Sequence, residues 1–126
     1  MCMIKVLLLM ILCHIIDDFV FQPICLSKLK QREWWKTNIK FAKMYEDDYK
    51  MALFIHSLSW SIMISLPLIF LCDVNEWVLL FGVTINTFIH YHIDDSKANE
   101  YNINLIQDQL AHFIQILVYF LIAFKI

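Results

Sequence analysis

The sequence predicts an all-α protein, a bundle of four transmembrane helices with a polar His/Asp pocket at its cytoplasmic end. Hydrophobic residues make up 60% of the 126 residues and charged residues 17%, whereas soluble domains are about 45–50% apolar. The chain has one glycine and two prolines, which leaves few residues for the tight turns of β-structure. Four successive apolar segments are each about 17–25 residues long, which is the length that crosses a bilayer as a helix.

These segments define a single membrane-embedded domain over residues 1–126. The predicted spans cover residues 3–21, 51–72, 77–93 and 103–126. The connection between the first two spans, residues 22–50, is long and basic. Because short loops rich in Lys and Arg stay in the cytoplasm, this basic linker predicts a multi-pass protein of the inner (cytoplasmic) membrane, with both termini on the outer side.

The basic linker carries two adjacent tryptophans, Trp34 and Trp35, among its lysines. Tryptophan is enriched where membrane meets water. One interpretation of the linker is therefore a short helix lying on the membrane surface, and the other is a plain solvated connection. The sequence leaves both interpretations open.

Histidines and aspartates fall inside or at the ends of the apolar segments, where an ionised group is costly unless it is paired or binds a metal. The predicted orientation places the histidines and aspartates of all four segments at the cytoplasmic end of the bundle. On three segments a His and an Asp are four residues apart and share a helix face. These pairs are His14 with Asp18, His90 with Asp94, and His112 with Asp108. The His lies deeper in each pair, which predicts a layer of imidazoles beneath a layer of carboxylates.

Mixed nitrogen and oxygen ligands suit Zn²⁺, Mn²⁺ or Fe²⁺, and facing helices of a bundle are a known way to present them. The sequence therefore predicts a site for one or two divalent ions. Gln22 and Gln109 are expected to orient the ligands from outside. Asp17, His92 and Asp95 have no matching spacing and are interpreted as flanking polar groups. The predicted ligands are His14, His56, His90, His112, Asp18, Asp94 and Asp108.

Four motifs occur along the chain in a fixed order. HIIDDFVFQP has the form H-x3-DF-x2-Q, LFIHSL places a histidine in the second segment, HYHIDDSK has the form H-x3-D-x2-K, and QDQLAHF has the form DQ-x2-H. Together they resemble the bacterial and phage membrane family catalogued as domain of unknown function 3307, over nearly the whole chain. The resemblance implies a small polytopic membrane protein and assigns no activity to it.

The resemblance carries over residue by residue. A lysine in the family's first linker matches Lys30 or, less well, Lys28, and the longer linker of this chain leaves that match open. The other matching residues are His14, Asp18, Phe19, Gln22, His56, His90, Asp94, Lys97, Asp108, Gln109 and His112.

The favoured function is that of a metal-dependent hydrolase. A bound divalent ion makes water a nucleophile near neutral pH, and the expected target is a phosphoester of a lipid headgroup or of a nucleotide at the cytoplasmic face. The residues expected to take part in catalysis are Asp18, His56, Lys97 and Gln109. Lys97 and the basic linker are expected to attract an anionic substrate.

Two other classes of function stay open. A metal carrier or sensor would use the same ligands, although the far halves of the spans offer few polar residues for a path across the membrane. A non-enzymatic phage or bacterial membrane interaction protein would use the His/Asp residues as a structural network. The net charge of −2 predicts no nucleic-acid partner. The expected partners are the lipid bilayer and a small or lipid anion, and an oligomer is possible.

Overall fold

The computed structural model describes residues 3–22, 24–38 and 43–125, and this part of the chain is helical and contains no strand. The all-α prediction is therefore confirmed. Residues 1, 2, 23, 39–42 and 126, which belong to the predicted domain, linker and fourth span, lie outside the described residues. The elements are α1 Met3–Ile16, a π-helical turn Asp17–Phe21, α2 Ile24–Leu29, α3 Arg32–Asn38, α4 Asp48–Leu71, α5 Glu76–Ala98 and α6 Leu105–Phe124.

The four long helices pack in a ring. Helix α4 lies between α1 and α5, and α6 closes the ring against α5 and α1. The apolar core comes from α1, α4 and α6, whereas the fully buried residues of α5 are polar. Helix α5 therefore brings its polar side chains to the centre of the bundle. The core residues are Val6, Met10, Trp60, Ile64, Leu68, Ile116, Tyr119 and Phe120.

Helices α4 and α6 are long and apolar enough to cross a membrane, and they are the two described helices that meet this criterion. Helix α1 has 14 residues before the π turn, and α5 has 23 residues but is less apolar because of its inward polar side chains. Length and composition thus support two of the four predicted spans. The described part of the chain is therefore an all-helical bundle with two candidate spans.

The helix ends differ from the predicted span ends for local reasons. Asn104 caps α6: its side chain accepts from the backbone N–H of Ile106 and of Gln107, and the Gln107 side chain accepts from the Asn104 N–H. This capping box starts the helix at Leu105 and not at residue 103. Helix α5 continues past the predicted end at residue 93 to Ala98, so the polar residues after the third span are helical as well.

The basic linker folds into α2 and α3 and contacts the polar end of the bundle. Asn99, at the C-terminus of α5, donates to the Lys30 carbonyl at 3.0 Å and accepts from the Arg32 backbone N–H at 2.7 Å. Arg32 also donates to the Tyr49 hydroxyl at 2.7 Å, and this hydrogen bond raises the pKa of the Arg32 guanidinium. A linker held in this way is not a plain solvated connection.

Candidate metal centre

Side chains from the π turn and from α1, α4, α5 and α6 meet at one end of the bundle. All seven predicted ligands lie in this group, and the structure adds one aspartate to it. Every member is buried except Asp18, whose side chain is 9% exposed. We call this group the His/Asp cluster: His14, Asp17, Asp18, His56, His90, Asp94, Asp108 and His112.

Two sets of three ligand atoms in the His/Asp cluster lie within 4.8 Å of one another. One set belongs to Asp18, His56 and His90, and the other to His90, Asp94 and His112. The two sets share His90. Each set offers the mixed nitrogen and oxygen donors that transition metals accept, so these buried groups could hold a metal ion.

Several distances between ligand atoms, within a set and between the two sets, match those between two ligands of one ion. His56 Nε2 lies 3.4 Å from Asp18 Oδ1 and 3.5 Å from Asp94 Oδ2, and His112 Nε2 lies 3.5 Å from Asp94 Oδ1. These separations exceed the ~2.7–3.2 Å of ordinary hydrogen bonds to nitrogen. Atoms bound at about 2.1 Å to a tetrahedral ion lie roughly 3.4 Å apart. The spacing therefore fits coordination better than direct hydrogen bonding.

The ring nitrogens of His90 and His112 are fully buried and have no hydrogen-bond partner among the described residues. The same holds for His56 Nε2, Asp18 Oδ1 and Asp108 Oδ1. Folded proteins satisfy about 90% or more of such groups, because each unpaired one costs about 1–3 kcal/mol. Five residues with unpaired atoms thus lie at one place, where a bound ion could satisfy them.

Formal charge favours a cation at this place. The four carboxylates of the His/Asp cluster face two ammonium groups. Lys30 Nζ lies 2.5 Å from Asp94 Oδ2, and Lys97 Nζ lies 2.5 Å from Asp108 Oδ2. With neutral imidazoles, two negative charges stay uncompensated, and buried charge is costly unless it is paired. One divalent cation would balance them.

His14 has other partners. Trp60 Nε1–H donates to His14 Nδ1 at 2.7 Å, so the ring hydrogen lies on Nε2, which donates to Gln109 Oε1 at 3.2 Å. Both nitrogens are used, and His14 belongs to neither set of ligand atoms. The predicted ligand His14 therefore has both ring nitrogens hydrogen-bonded to the protein.

Gln109 connects two carboxylates. Its Nε2 donates to Asp18 Oδ2 at 3.3 Å and to Asp108 Oδ2 at 3.1 Å. It thereby holds both carboxylates in place, as an outer partner of a metal site does. Gln22, its predicted counterpart, is half-buried just past the π turn.

The two lysines differ in exposure. Lys97, predicted to attract the substrate, is 31% exposed and already paired with Asp108. Lys30 is buried, with its side chain 5% exposed, and is paired with Asp94, whereas Lys28 is exposed. Of the two lysines that could match the family's linker lysine, Lys30 is thus the one that contacts the His/Asp cluster.

The interpretation of Asp17 as a flanking group is wrong. Asp17 is 2% exposed, accepts from Ser59 Oγ at 2.8 Å and lies 3.7 Å from His56 Nδ1. The π turn that begins at Asp17 widens the helix, so Asp17 and Asp18 both face the interior. A regular helical repeat does not place two adjacent residues on the same face, so the sequence pattern could not predict the inward position of Asp17. His92, in contrast, is exposed, and Asp95 accepts from Asn99 outside the cluster.

Trp60 is a site residue that the sequence reasoning missed. It is fully buried, donates to His14, and its ring stacks on His90 with centroids 4.3 Å apart. It lies four residues after His56, so the rule that paired His with Asp places it on the same helix face. Applying that rule to aromatic residues would have found it.

A family model described as "Protein of unknown function (DUF3307)" matches residues 6–126. No curated protein and no solved structure matches the chain. The matched range contains the whole His/Asp cluster, its lysines and Gln109. No activity comes with this description.

Proposed function

Because the chain belongs to the DUF3307 family, whose description assigns no activity, we propose a function from the site itself: a membrane-embedded, metal-dependent hydrolase. The His/Asp cluster holds one or two divalent ions, zinc, manganese or iron. The observation that carries this proposal is the pair of fully buried imidazoles, His90 and His112, whose nitrogens lack partners among the described residues and which face Asp94 at ligand spacing.

The residues around the ligands suit hydrolysis. A divalent ion acidifies water and polarises a phosphoryl oxygen when it is bound. With an ion held by His90, Asp94 and His112, Asp18 would stay free to take the proton from the attacking water, because it is the most exposed carboxylate of the His/Asp cluster and its Oδ1 is unpaired. Gln109 orients Asp18 and Asp108, and Trp60 orients His14. In the same arrangement His56, 3.4 Å from Asp18, would also be free of metal and would relay the proton to the leaving oxygen.

The membrane placement rests on the helices and the linker. Helices α4 and α6 are the candidate spans, and α1 and α5 pack with them in the same ring and cross the bilayer with them. The His/Asp cluster lies at the end covered by the basic linker, which is the cytoplasmic end by the distribution of positive charge. Lys30 and Lys97 at this end suit an anionic substrate, a phosphoester of a lipid headgroup or of a nucleotide.

A second candidate function is favoured by the ion pairs. Asp94 and Asp108 each have an ammonium group at 2.5 Å, as in a network that holds the fold without a metal. In that case the protein is a non-enzymatic membrane interaction protein. A metal carrier or sensor is the third candidate and would share the ligands of the hydrolase.

Metal content separates these candidates. The protein is purified in mild detergent without chelators or a polyhistidine tag, and its metals are measured by elemental analysis. The test variant is His90→Ala with Asp94→Ala. The matched control on the same helix is His92→Ala with Asp95→Ala, which also removes one imidazole and one carboxylate but at positions outside the cluster. We expect one or two equivalents of a transition metal in the wild type and the control, and none in the test variant, at equal helicity by circular dichroism.

Activity is then measured against lipid phosphoesters and nucleotides with Zn²⁺, Mn²⁺ or Fe²⁺. Metal-dependent release of phosphate or alcohol by the wild type and the control, and none by the test variant, is the expected result. Bound metal with no hydrolysis would favour the carrier or sensor. No metal, even after Zn²⁺ or Mn²⁺ is added, would overturn the hydrolase in favour of the structural network.

A further inference from the structure

Lys30 differs from the other basic residues that the structure describes, because its charged group is buried inside the bundle. Its side chain is 5% exposed, whereas that of Lys97 is 31% exposed. A buried charge is costly unless it is paired, and Lys30 Nζ donates to Asp94 Oδ2 at 2.5 Å. Lys30 is therefore a fixed positive charge within the His/Asp cluster and not a surface charge that attracts a substrate.

The docked linker fixes the direction from which Lys30 enters the cluster. Asn99 Nδ2 donates to the Lys30 carbonyl at 3.0 Å, and Asn99 Oδ1 accepts from the Arg32 backbone N–H at 2.7 Å. The Arg32 side chain donates to the hydroxyl of Tyr49, which is 3% exposed. These hydrogen bonds hold the backbone at Lys30 and two residues further on, so the ammonium group is held at one carboxylate.

The two oxygens of that carboxylate, Asp94, face different halves of the His/Asp cluster. Oδ1 lies 3.7 Å from His90 Nε2 and 3.5 Å from His112 Nε2, and these three residues form one set of ligand atoms. Oδ2 lies 3.5 Å from His56 Nε2, and His56 belongs to the other set. Lys30 takes Oδ2 and leaves Oδ1 free, so it borders the half of the cluster that contains His56.

The half around His56 offers ligand atoms for a second ion. His56 Nε2 and Asp18 Oδ1 lie 3.4 Å apart, and both atoms are buried without a partner among the described residues. Asp94 Oδ2 lies at a similar distance from His56 Nε2 and would supply a second carboxylate oxygen to an ion there. The ammonium group of Lys30 already takes this oxygen, and its charge repels a divalent ion placed beside it.

Formal charge also favours a single ion. Four carboxylates, two ammonium groups and one divalent ion sum to zero when the imidazoles are neutral. A second divalent ion would leave two positive charges in excess at a buried place, which is costly. Without Lys30 this excess would fall to one. Lys30 therefore makes a second ion less favourable by its charge as well as by its hydrogen bond.

We propose that Lys30 restricts the metal centre to a single divalent ion. Its ammonium group fills the position of a second cation beside His56 and Asp18, and the ion binds to the set that contains Asp94. This inference rests on the proposed hydrolase and deepens it by assigning the number of ions. Asp18 and His56 stay free of metal and can take and relay a proton, which a second ion bound to them would prevent.

Manganese titration tests the inference without turnover. Mn²⁺ is added to metal-free protein in mild detergent, because it prefers carboxylates to the thiols of the chain. Elemental analysis counts the bound ions, and EPR spectroscopy shows whether two ions lie close enough to couple magnetically. We expect one uncoupled Mn²⁺ in the wild type and two coupled ions in Lys30→Met. The second ion should bind to Lys30→Met at least tenfold more tightly than to the wild type, as is usual for coupled sites.

Lys97→Met is the matched control, because it removes the same charge from the same cluster. Lys97 pairs with Asp108, which belongs to neither set of ligand atoms. We expect one Mn²⁺ in Lys97→Met, which separates a general gain in cation affinity from the opening of a site beside His56. Lys28→Met, at an exposed position of the linker, should match the wild type.

A milder variant tests the inference if Lys30→Met does not fold. Asn99→Ala removes the hydrogen bonds that hold the backbone at Lys30 and Arg32, and it leaves every charge of the cluster in place. A second Mn²⁺ should bind at least tenfold more tightly to Asn99→Ala than to the wild type. Asn102→Ala is its control, because the Asn102 side chain contacts Glu100 and not the linker, and it should behave like the wild type.

The outcomes distinguish this inference from the proposed function. Two coupled Mn²⁺ in the wild type, or one in a folded Lys30→Met, would overturn the inference and retain the hydrolase. If Lys30→Met does not fold, an unchanged affinity in Asn99→Ala would do the same. Equal binding of a second ion by Lys97→Met and Lys30→Met would also overturn it, because lost charge alone would then explain the effect. No bound Mn²⁺ or Zn²⁺ in any of these proteins would overturn the hydrolase and the inference together.

Activity provides an independent readout. Mn²⁺ beyond the first equivalent should inhibit Lys30→Met at least tenfold, because the second ion occupies Asp18 and His56. The same excess should leave the hydrolysis rate of the wild type unchanged. Equal inhibition of both proteins would contradict a role of Lys30 in excluding the second ion.

Discussion

Two buried polar regions of the same bundle satisfy their polar atoms in different ways. In α4, the fully buried Ser57, Ser61 and Ser65 each donate to the carbonyl four residues earlier, at 2.7–2.8 Å. His90 and His112 are just as buried, yet their ring nitrogens find no partner among the described residues. A hydroxyl can reach the backbone of its own helix, whereas an imidazole extends away from it. These ring nitrogens are therefore available to a group from outside the helices, such as the proposed metal ion.

The largest expected effect on metal binding comes from removing the carboxylate that faces three of the histidines. Asp94 lies 3.5–3.7 Å from His56, His90 and His112. Asp94→Ala should lower Zn²⁺ or Mn²⁺ affinity by at least the ~100-fold that outer partners of a metal can cost. Adding metal at about 100 times the wild-type Kd should stabilise the wild type by roughly 2.7 kcal/mol and Asp94→Ala by about 0.4 kcal/mol or less.

Thermal unfolding with and without metal measures this difference. Asp95→Ala is the control, since Asp95 lies outside the His/Asp cluster. Equal stabilisation of Asp94→Ala and Asp95→Ala would contradict a metal site at Asp94.

The largest effect on folding without metal concerns the ammonium group that faces Asp94. Lys30→Met should lower the free energy of unfolding by about 3–5 kcal/mol without metal, because it leaves a buried carboxylate without its partner. Lys28→Met, at an exposed position of the same linker, should change it by less than ~0.5 kcal/mol. Saturating metal should reduce the loss in Lys30→Met. Denaturant titration in detergent checks both variants, and equal losses would mean that the Lys30–Asp94 pair adds nothing to stability.

A smaller effect is expected at the aromatic residue beneath the cluster. Trp60→Phe retains a ring against His90 but removes the N–H that holds His14 Nδ1. The unpaired nitrogen should cost about 1–3 kcal/mol, and the less ordered surroundings should lower metal affinity about tenfold. Competition with a fluorescent zinc chelator measures the affinity. An unchanged value would remove Trp60 from the positioning residues.

The smallest effect is expected in α4, where the buried serines donate hydrogen bonds to the backbone of their own helix. Ser61→Ala removes a donor but leaves the Ser57 carbonyl bonded within the helix, so the free energy of unfolding should change by about 1 kcal/mol or less. Metal content should stay at the wild-type value. Loss of metal in Ser61→Ala would show that the two polar regions are coupled, and the contrast between them would fail.

Much of the fold and part of the site can be predicted from local patterns. The apolar segments predict the four long helices, with ends that shift where a cap such as Asn104 intervenes. The spacings of His90 with Asp94 and of His112 with Asp108 place each pair on one helix face, and both pairs lie in the His/Asp cluster. These features depend on helix geometry alone, which repeats over a few residues in any surroundings.

Only the tertiary structure decided which groups complete the site. The π turn brings Asp17 inward, the docked linker places Lys30 on Asp94, and Trp60 and Gln109 occupy both nitrogens of His14. Each contact joins residues far apart in the chain or depends on an irregular turn. The sequence by itself determined the helices and their polar faces, because these arise from local periodicity. The partners of each side chain arise from packing between helices, which no local period encodes.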